Sequence, residues 1–293
     1  MQSRVRFLAD EGGPRQKDSP ASLVALLRGR RFVALSGAGC STDSGIPDYR
    51  GPAGSLRRRQ PIQYQDFVRS AATRKRYWAR SMLGWPQVVA AAPNAAHQAL
   101  SELEAAGLCT GVITQNVDGL HARAGSRNVV ELHGSLHGVR CLGCGRTQPR
   151  SALQPTLLSQ NPSWGQRSAQ AAPDGDADLD VDAARLSDFS VPACSDCGGV
   201  LKPDVVFFGE NVARPVVDAA WRMFDGASAL LILGSSLAVY SGFRFARGAA
   251  ERGLPIAIVN LGPTRADELA AVRVEASLSP TLTELCQGLF DQA

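Results

Sequence analysis

Four of the seven cysteines fall into two C-x-x-C pairs, Cys141-Leu142-Gly143-Cys144 and Cys194-Ser195-Asp196-Cys197. Each pair reads as a tight knuckle, and Gly145 or Gly198 follows to let the backbone turn. Four thiolates from two such knuckles complete a tetrahedral zinc shell at roughly 2.3 Å per bond. A closed shell leaves no coordination position for substrate, so the ion implied is structural. The spacing between the knuckles exceeds that of a simple zinc ribbon, which predicts an insertion looping out between them. The competing reading is a pair of reducible disulfide hairpins. Cys40, Cys109 and Cys286 remain as ordinary buried thiols.

A second kind of chemistry is suggested by Gly37-Ala38-Gly39-Cys40-Ser41-Thr42, which follows an apolar run. Glycines let a backbone approach a pyrophosphate, and a helix N-terminus beyond them supplies N–H donors. The third glycine of the dinucleotide fingerprint is absent, because Thr42 occupies its place. That weakens a hydride-transferring dehydrogenase. Thr42 and Ser36 are readable either as turn residues or as phosphate contacts. His133, followed by Gly134 at the end of another apolar run, has a side chain able to exchange a proton near neutral pH. The other histidines read more plainly: His97 as a hydrogen-bonding strut, His121 as ordering the loop before it, and His137 without a function.

These residues need elements to hold them. Residues 22–30 read as a short amphipathic helix, residues 31–35 as a buried strand, and 94–106 as a helix. Gly111–Thr114, Asn128–Leu132, Val205–Phe208, Ala229–Leu233 and Pro255–Val259 are further short apolar runs ending in glycine or a polar residue. Strands without alternation are buried on both faces, which means a parallel sheet between helices. The fold expected is α/β: a doubly wound, Rossmann-like parallel sheet, with ligands at the carboxyl ends of its strands. Residues 22–51, 94–137 and 201–290 would form this domain, after a tail of residues 1–21. Residues 52–93 read as a helical insertion and 138–200 as the small zinc-binding module. Within the module, Asp174, Asp176, Asp178, Asp180 and Asp182 suggest a calcium loop. Leu179 stands where its glycine is needed and Arg185 where its bidentate glutamate is needed, so a solvated loop is expected instead.

The 293 residues are 44% hydrophobic and 20% charged, enough for a core and unlike a disordered chain. Apolar runs such as Leu230–Leu233 fall far short of the roughly 20 residues of a membrane span. The formal charge of +4 is too small to argue for nucleic acid. Residues 1–20 lack an apolar signal core, and Asp10, Glu11 and Asp18 speak against a transit peptide. A reducing cytoplasm is the expected compartment, or the mitochondrial matrix for a eukaryotic source.

The remaining motifs occur in a fixed order: Ser44-Gly45-Ile46-Pro47-Asp48-Tyr49-Arg50, then Gln115-Asn116-Val117-Asp118, Glu131-Leu132-His133-Gly134, Lys202 to Glu210, Gly234-Ser235-Ser236, and Asn260-Leu261-Gly262. In that order, bracketing the four cysteines, they resemble the sirtuins, the NAD-dependent protein-lysine deacylases. Tyr77-Trp78-Ala79-Arg80 and Gly84-Trp85-Pro86 resemble the class II branch, which includes the lipoamidase-type enzyme.

The resemblance implies two ligands, NAD as co-substrate and one structural zinc ion, and acylated-lysine proteins or peptides as partners. It makes His133 the base that activates the nicotinamide-ribose hydroxyls. Asn116 would hold the ribose and a water, and Asp118 the nicotinamide carboxamide. Gly37, Ala38, Gly39, Thr42, Asp48, Tyr49, Arg50 and Gln115 would line the rest of the dinucleotide site. Gly234, Ser235, Ser236, Asn260, Gly262 and Leu278 would lie towards the adenosine. Val206, Phe208, Gly209 and Glu210 would receive the peptide and its acyl-lysine stem. Tyr77 and Arg80, three apart on a helix, share one face and suit a carboxylate-bearing or bulky acyl group. Two alternatives share these residues: a protein mono-ADP-ribosyltransferase, and a non-catalytic NAD or ADP-ribose sensor.

Overall fold

Strands β1 (Phe32–Ser36), β7 (Ala229–Leu233) and β8 (Ile256–Val259) are buried at every residue in the computed structural model, which describes residues 18–50, 61–164 and 186–291. Strands with no face for water must be covered on both sides. Together with β2 (Cys109–Thr114), β3 (Val129–Glu131) and β9 (Val272–Val274) they form a parallel sheet ordered β3-β2-β1-β7-β8-β9. Alternate residues feed two cores. Phe32, Ala34, Leu231 and Leu233 face one side, packed with α1 (Pro20–Leu27), α4 (Ala95–Ala105) and α9 (Leu278–Phe290). Val33, Leu35, Leu230 and Ile232 face the other, against α7 (Arg214–Asp225) and α8 (Tyr240–Glu251).

The order of strands creates one switch point. From β1 the chain builds β2 and β3 to one side, then returns to place β7 on the other. The loops leaving β1 and β7 therefore diverge and leave a crevice at the strands' carboxyl ends, where open α/β sheets bind ligands.

A second sheet, ordered β5-β4-β6, comprises β4 (Gly134–Cys141), β5 (Thr147–Pro149) and β6 (Leu201–Val205), all antiparallel. The apolar run beginning at Val205, expected in the main sheet, thus begins at the end of a strand of this smaller one. The cysteine knuckles explain the difference. Cys141 pairs with Leu201 and Arg140 with Lys202, so joining the knuckles sets β4 and β6 side by side. Strand β9 escaped the sequence reading because Val272-Arg273-Val274 is too short to show a period.

Helices α2 (Tyr64–Arg69), α3 (Ala71–Ala90) and α6 (Arg150–Gln160) pack on the small sheet rather than standing apart. Trp78, fully buried, donates its Nε1–H to the Leu201 carbonyl at 3.2 Å. Phe67, Tyr77 and Trp78 share one apolar cluster with Cys141, Cys194, Leu157 and Phe189. Arg150 is buried between the rings of Trp78 and Trp85, 5.5 and 4.8 Å from their centroids, and donates to Gln154 at 2.7 Å. Burial pulls its guanidinium down to about 10. Among the described residues no helix is long and apolar enough to cross a membrane. Residues 1–17 of the expected tail, 52–60 of the insertion and the aspartate-rich stretch 171–182 lie outside the described residues.

Candidate active site

The glycine loop does not enter an α-helix as the fingerprint reading required. Two short 3₁₀ turns follow it, Ala38–Cys40 and Thr42–Ser44, and Gly45 ends them with φ +84°. With no long helix there, the glycine loop is instead pressed against a second loop. A Cβ at Gly39 would lie 2.9 Å from Gly234 Cα, and one at Gly37 would lie 2.7 Å from Ser235 Cβ. Gly234 has φ +58°, and a Cβ there would come within 2.6 Å of Cys40 N. These glycines are required by the close approach of the β1 and β7 loops. Leu237, in the same region, is the non-glycine residue with positive φ (53°) among the described residues. A buried leucine in that conformation costs roughly 1–2 kcal/mol, which the surrounding packing must offset. Gly234→Ala is expected to lower stability by ~2 kcal/mol or more and to abolish the melting shift induced by ADP-ribose. Thermal unfolding with and without the nucleotide measures both effects, and an unchanged shift would show the loop contact to be dispensable.

The crevice contains a cavity of about 900 Å³. Gly37, Ala38, Gly39, Asp48, Tyr49, Arg50, Gln115, Gly234, Ser235, Ser236, Asn260 and Gly262 border it, as do Tyr77, His133, Val206, Phe208, Gly209 and Glu210. Arg80 is buried outside that boundary, and Thr42 is exposed, its hydroxyl donating to the Gly39 carbonyl at 3.0 Å. Leu278 belongs to the core, its methyl carbon against Gly234.

Asn116 and Asp118 stand behind the glycine loop and are joined by a residue the sequence reading left without a role. Asn116 Nδ2 donates to the Gly37 carbonyl and to Ser41 Oγ, both at 3.1 Å. Ser41 Oγ donates in turn to Asp118 Oδ2 at 2.7 Å. Asp118 Oδ1 accepts the N–H of Leu120, the first residue of α5 (Leu120–Arg123), at 2.9 Å. His137 Nε2 donates to the Asp118 carbonyl at 3.0 Å. His137, given no function from sequence, thus orders this turn. The position of Ser41 inside the glycine loop was its available signal.

Behind Asp118 lies a neutral buried group. His97 and His121 lie with ring centroids 4.7 Å apart and their planes tilted by 59°, and burial lowers both, His121 to about 3. Cys40 lies beside them, within 4.8 Å by its sulfur. Burial and the Asp118 and Asp43 carboxylates keep that thiol protonated, whereas metal capture requires a thiolate.

His133 is the best-defined group. Its Nδ1 lies 2.9 Å from the Gln115 carbonyl oxygen, which only accepts, so Nδ1 carries the proton and Nε2 is bare. Burial lowers its basicity, and the bond to Gln115 partly offsets that. Gln115 is itself held by a 2.7 Å bond from Nε2 to Ser235 Oγ, tying the end of β2 to the β7 loop. On the other side of His133 runs the strap Val206–Glu210. Val206 N donates to the His133 carbonyl at 2.7 Å, and Tyr64 N to the Phe208 carbonyl at 2.9 Å. Glu210 Oε2 accepts the Phe207 N–H at 2.9 Å and pairs with buried Lys202 at 3.0 Å. Burial lowers Lys202, with Glu210 opposing.

The four expected metal ligands come together. All four sulfurs lie within 4.8 Å of one another, with Cys141–Cys197 at 3.5 Å and Cys144–Cys194 at 3.8 Å. A tetrahedron with 2.3 Å bonds has edges of about 3.8 Å, whereas a disulfide needs about 2.05 Å. Backbone N–H groups of Cys144 and Gly143 help pull Cys141 down to about 6. Gly199 N–H acts likewise on Cys197, but three neighbouring thiols push it up to about 12. A dication relieves that repulsion, and the donor set fits zinc.

A model of the Sir2 family matches residues 37–241. The chain is 54% identical over 268 residues to an NAD-dependent protein deacetylase of Xanthomonas campestris pv. campestris, covering 92% of this chain and 91% of that relative. It is 55% identical over 258 residues to NAD-dependent protein deacetylase 2 of Bradyrhizobium diazoefficiens, covering 88% and 94%. A solved structure described as "Structural Basis for the Mechanism and Regulation of Sir2 Enzymes" superposes with TM-score 0.74 at 30% identity, covering 94% of this chain and 98% of the other. A "Sir2-p53 peptide-NAD+" complex does so with TM-score 0.72 at 31% identity, covering 92% and 98%. Fold, sheet-end motifs and sequence agree along nearly the whole chain, which belongs to the Sir2, or sirtuin, family.

Proposed function

We propose that the protein is an NAD-consuming protein-lysine deacylase that releases nicotinamide and 2′-O-acyl-ADP-ribose. The observation that carries this reading is the His133 ring, with its proton committed to Gln115 and its bare Nε2 in a cavity large enough for a dinucleotide and a lysine stem. The names of the relatives support it, as does the solved complex holding peptide and NAD+ together.

NAD, when bound, would supply a C1′ carbon from which nicotinamide leaves as the acyl oxygen of the substrate bonds there, and water would finally release 2′-O-acyl-ADP-ribose and free lysine. The chain's residues do the rest. Asp118, fixed by Ser41 and Leu120 behind the glycine loop, would hold the carboxamide. Asn116 holds the glycine loop in place through the Gly37 carbonyl. His133 Nε2 takes the proton of a ribose hydroxyl, which then attacks the acyl carbon. The imidazolium formed keeps its Nδ1–H on Gln115. The strap Val206–Glu210 offers backbone groups to an extended peptide, a mode tolerant of substrate sequence.

Mass spectrometry after incubation with acetyl-lysine peptide and NAD tests this. O-acyl-ADP-ribose and a lighter peptide are expected. A peptide heavier by one ADP-ribose would move the assignment to ADP-ribosyl transfer.

For the acyl group, the support is narrower. Tyr77 borders the cavity, and Arg80 lies one turn along the same helix, buried beside it. If Tyr77 and Arg80 grip an acyl carboxylate, glutaryl-type lysine is cleaved about tenfold faster than acetyl-lysine, or about 1.4 kcal/mol of transition-state preference. Arg80→Met then erases that ratio while sparing acetyl activity. Equal kcat/KM for both peptides, unchanged by Arg80→Met, would leave the site without a carboxylate clamp.

A further inference from the structure

The contact at His133 Nε2 involves a hydroxyl to which the reaction above gives no role. Ser241 Oγ lies 2.8 Å from Nε2, and Ser241 borders the same cavity. The proton on Nδ1 decides the direction of this bond. Because Gln115 fixes Nδ1 as the donor, Nε2 can only accept, and the serine O–H donates to it. An imidazole nitrogen has one in-plane lone pair. With Ser241 on it, a ribose hydroxyl reaches the base through the serine oxygen or must displace it.

The placement of Ser241 favours the first route. It is the second residue of α8, whose Phe245, Ala246 and Ala249 are fully buried against the sheet. Gly242, next to it, is so close to Gln115 that a Cβ there would lie 2.6 Å from Oε1. The residue that ties Nδ1 therefore also abuts the turn that carries Ser241. The hydroxyl sits in the first turn of a twelve-residue helix, where the dipole favours negative charge developing on oxygen.

We propose that Ser241 is a proton relay between the nicotinamide ribose and His133, an inference that rests on the reading of His133 as the base. The ribose O–H bond breaks as a new O–H bond forms on Ser241 Oγ. The serine's original proton passes to Nε2 in the same step. The electron pair stays on the ribose oxygen for its attack on the acyl carbon. Ser241 ends unchanged, and His133 ends as an imidazolium.

Steady-state kinetics of the full chain with acetyl-lysine peptide and NAD test the relay in Ser241→Ala, Ser241→Thr and His133→Ala. Ser241→Ala is expected to lose at least about tenfold in kcat with KM for NAD within about twofold. Ser241→Thr, which keeps the hydroxyl, is expected to recover most of that loss. The solvent-deuterium proton inventory should change from curved, two protons in flight, to linear in Ser241→Ala. Unchanged or increased kcat in Ser241→Ala would overturn the relay and make the serine a competitor for the base. Equal losses in the alanine and threonine variants, or a loss confined to KM, would overturn it as well. Failure of the underlying reading shows separately, as activity retained by His133→Ala whatever Ser241 does.

Discussion

His133→Ala is expected to fold, to keep its ADP-ribose-induced melting shift, and to lose about 10²- to 10⁴-fold in deacylation, the usual contribution of a positioned base. The loss should fall on kcat, because the ring supplies one lone pair and little contact area for the dinucleotide. Nε2 is the one ring nitrogen free of a proton, so removing the ring removes the acceptor. The pH profile adds a second measurement. Burial lowers His133 below the ordinary histidine value of 6.5. Lowering the pKa keeps the base unprotonated further into acid. The acid limb of kcat/KM should therefore lie below 6.5, and the variant's residual activity should lack that limb. A variant with more than a tenth of wild-type turnover would remove His133 from the mechanism.

Replacing one zinc ligand, as in Cys194→Ser, is expected to have the largest effect on folding. Metal analysis should give about one zinc per wild-type chain and none in the variant. Structural zinc sites hold their ion with apparent free energies of about 10–16 kcal/mol, comparable with the whole stability of a domain, about 5–15 kcal/mol. Damage should not stop at the knuckles. Cys141 and Cys194 share one cluster with Trp78, Phe67 and Tyr77, and Tyr77 borders the cavity. Loss of the ion should loosen the helical insertion and the Tyr77 side of the cavity together, seen as aggregation on chelation and as early exchange of the α3 amides. A soluble, active preparation without zinc would refute the structural role.

These two outcomes differ in how they were legible. The C-x-x-C pairs carry their chemistry in type and spacing, since thiolates two apart on a turn converge on one ion wherever the turn sits. His133 was legible more weakly, as a proton-exchanging side chain at a strand end, and resemblance sharpened its role. Its tautomer was not legible at all. That depends on the Gln115 carbonyl, eighteen residues away in sequence and placed by the pairing of β2 with β3. The role of Ser41, and that of Ser241 beside the base rather than in a loop clamping the peptide, were missed for the same reason. Neither serine, one in a loop and one in the first turn of α8, belongs to a period or a motif spacing, and only their partners, Asp118 and His133, give them a role.

The α/β class, the parallel sheet and the four-cysteine module could all be read from residue types and spacing. Each arises from local properties: continuous Val, Ile and Leu runs demand burial on both faces, and a knuckle is complete within four residues. The segment after the glycine loop was misread, as a helix where two 3₁₀ turns stand, and the run from Val205 was placed in the wrong sheet. Tertiary structure alone decided that the glycines serve the contact of two loops, that the helical insertion and the metal module share one core, and that β6 pairs with β4. In each case the partner lies far along the chain. The energy that selects the conformation comes from removing both partners from water together, a quantity that neither segment carries alone.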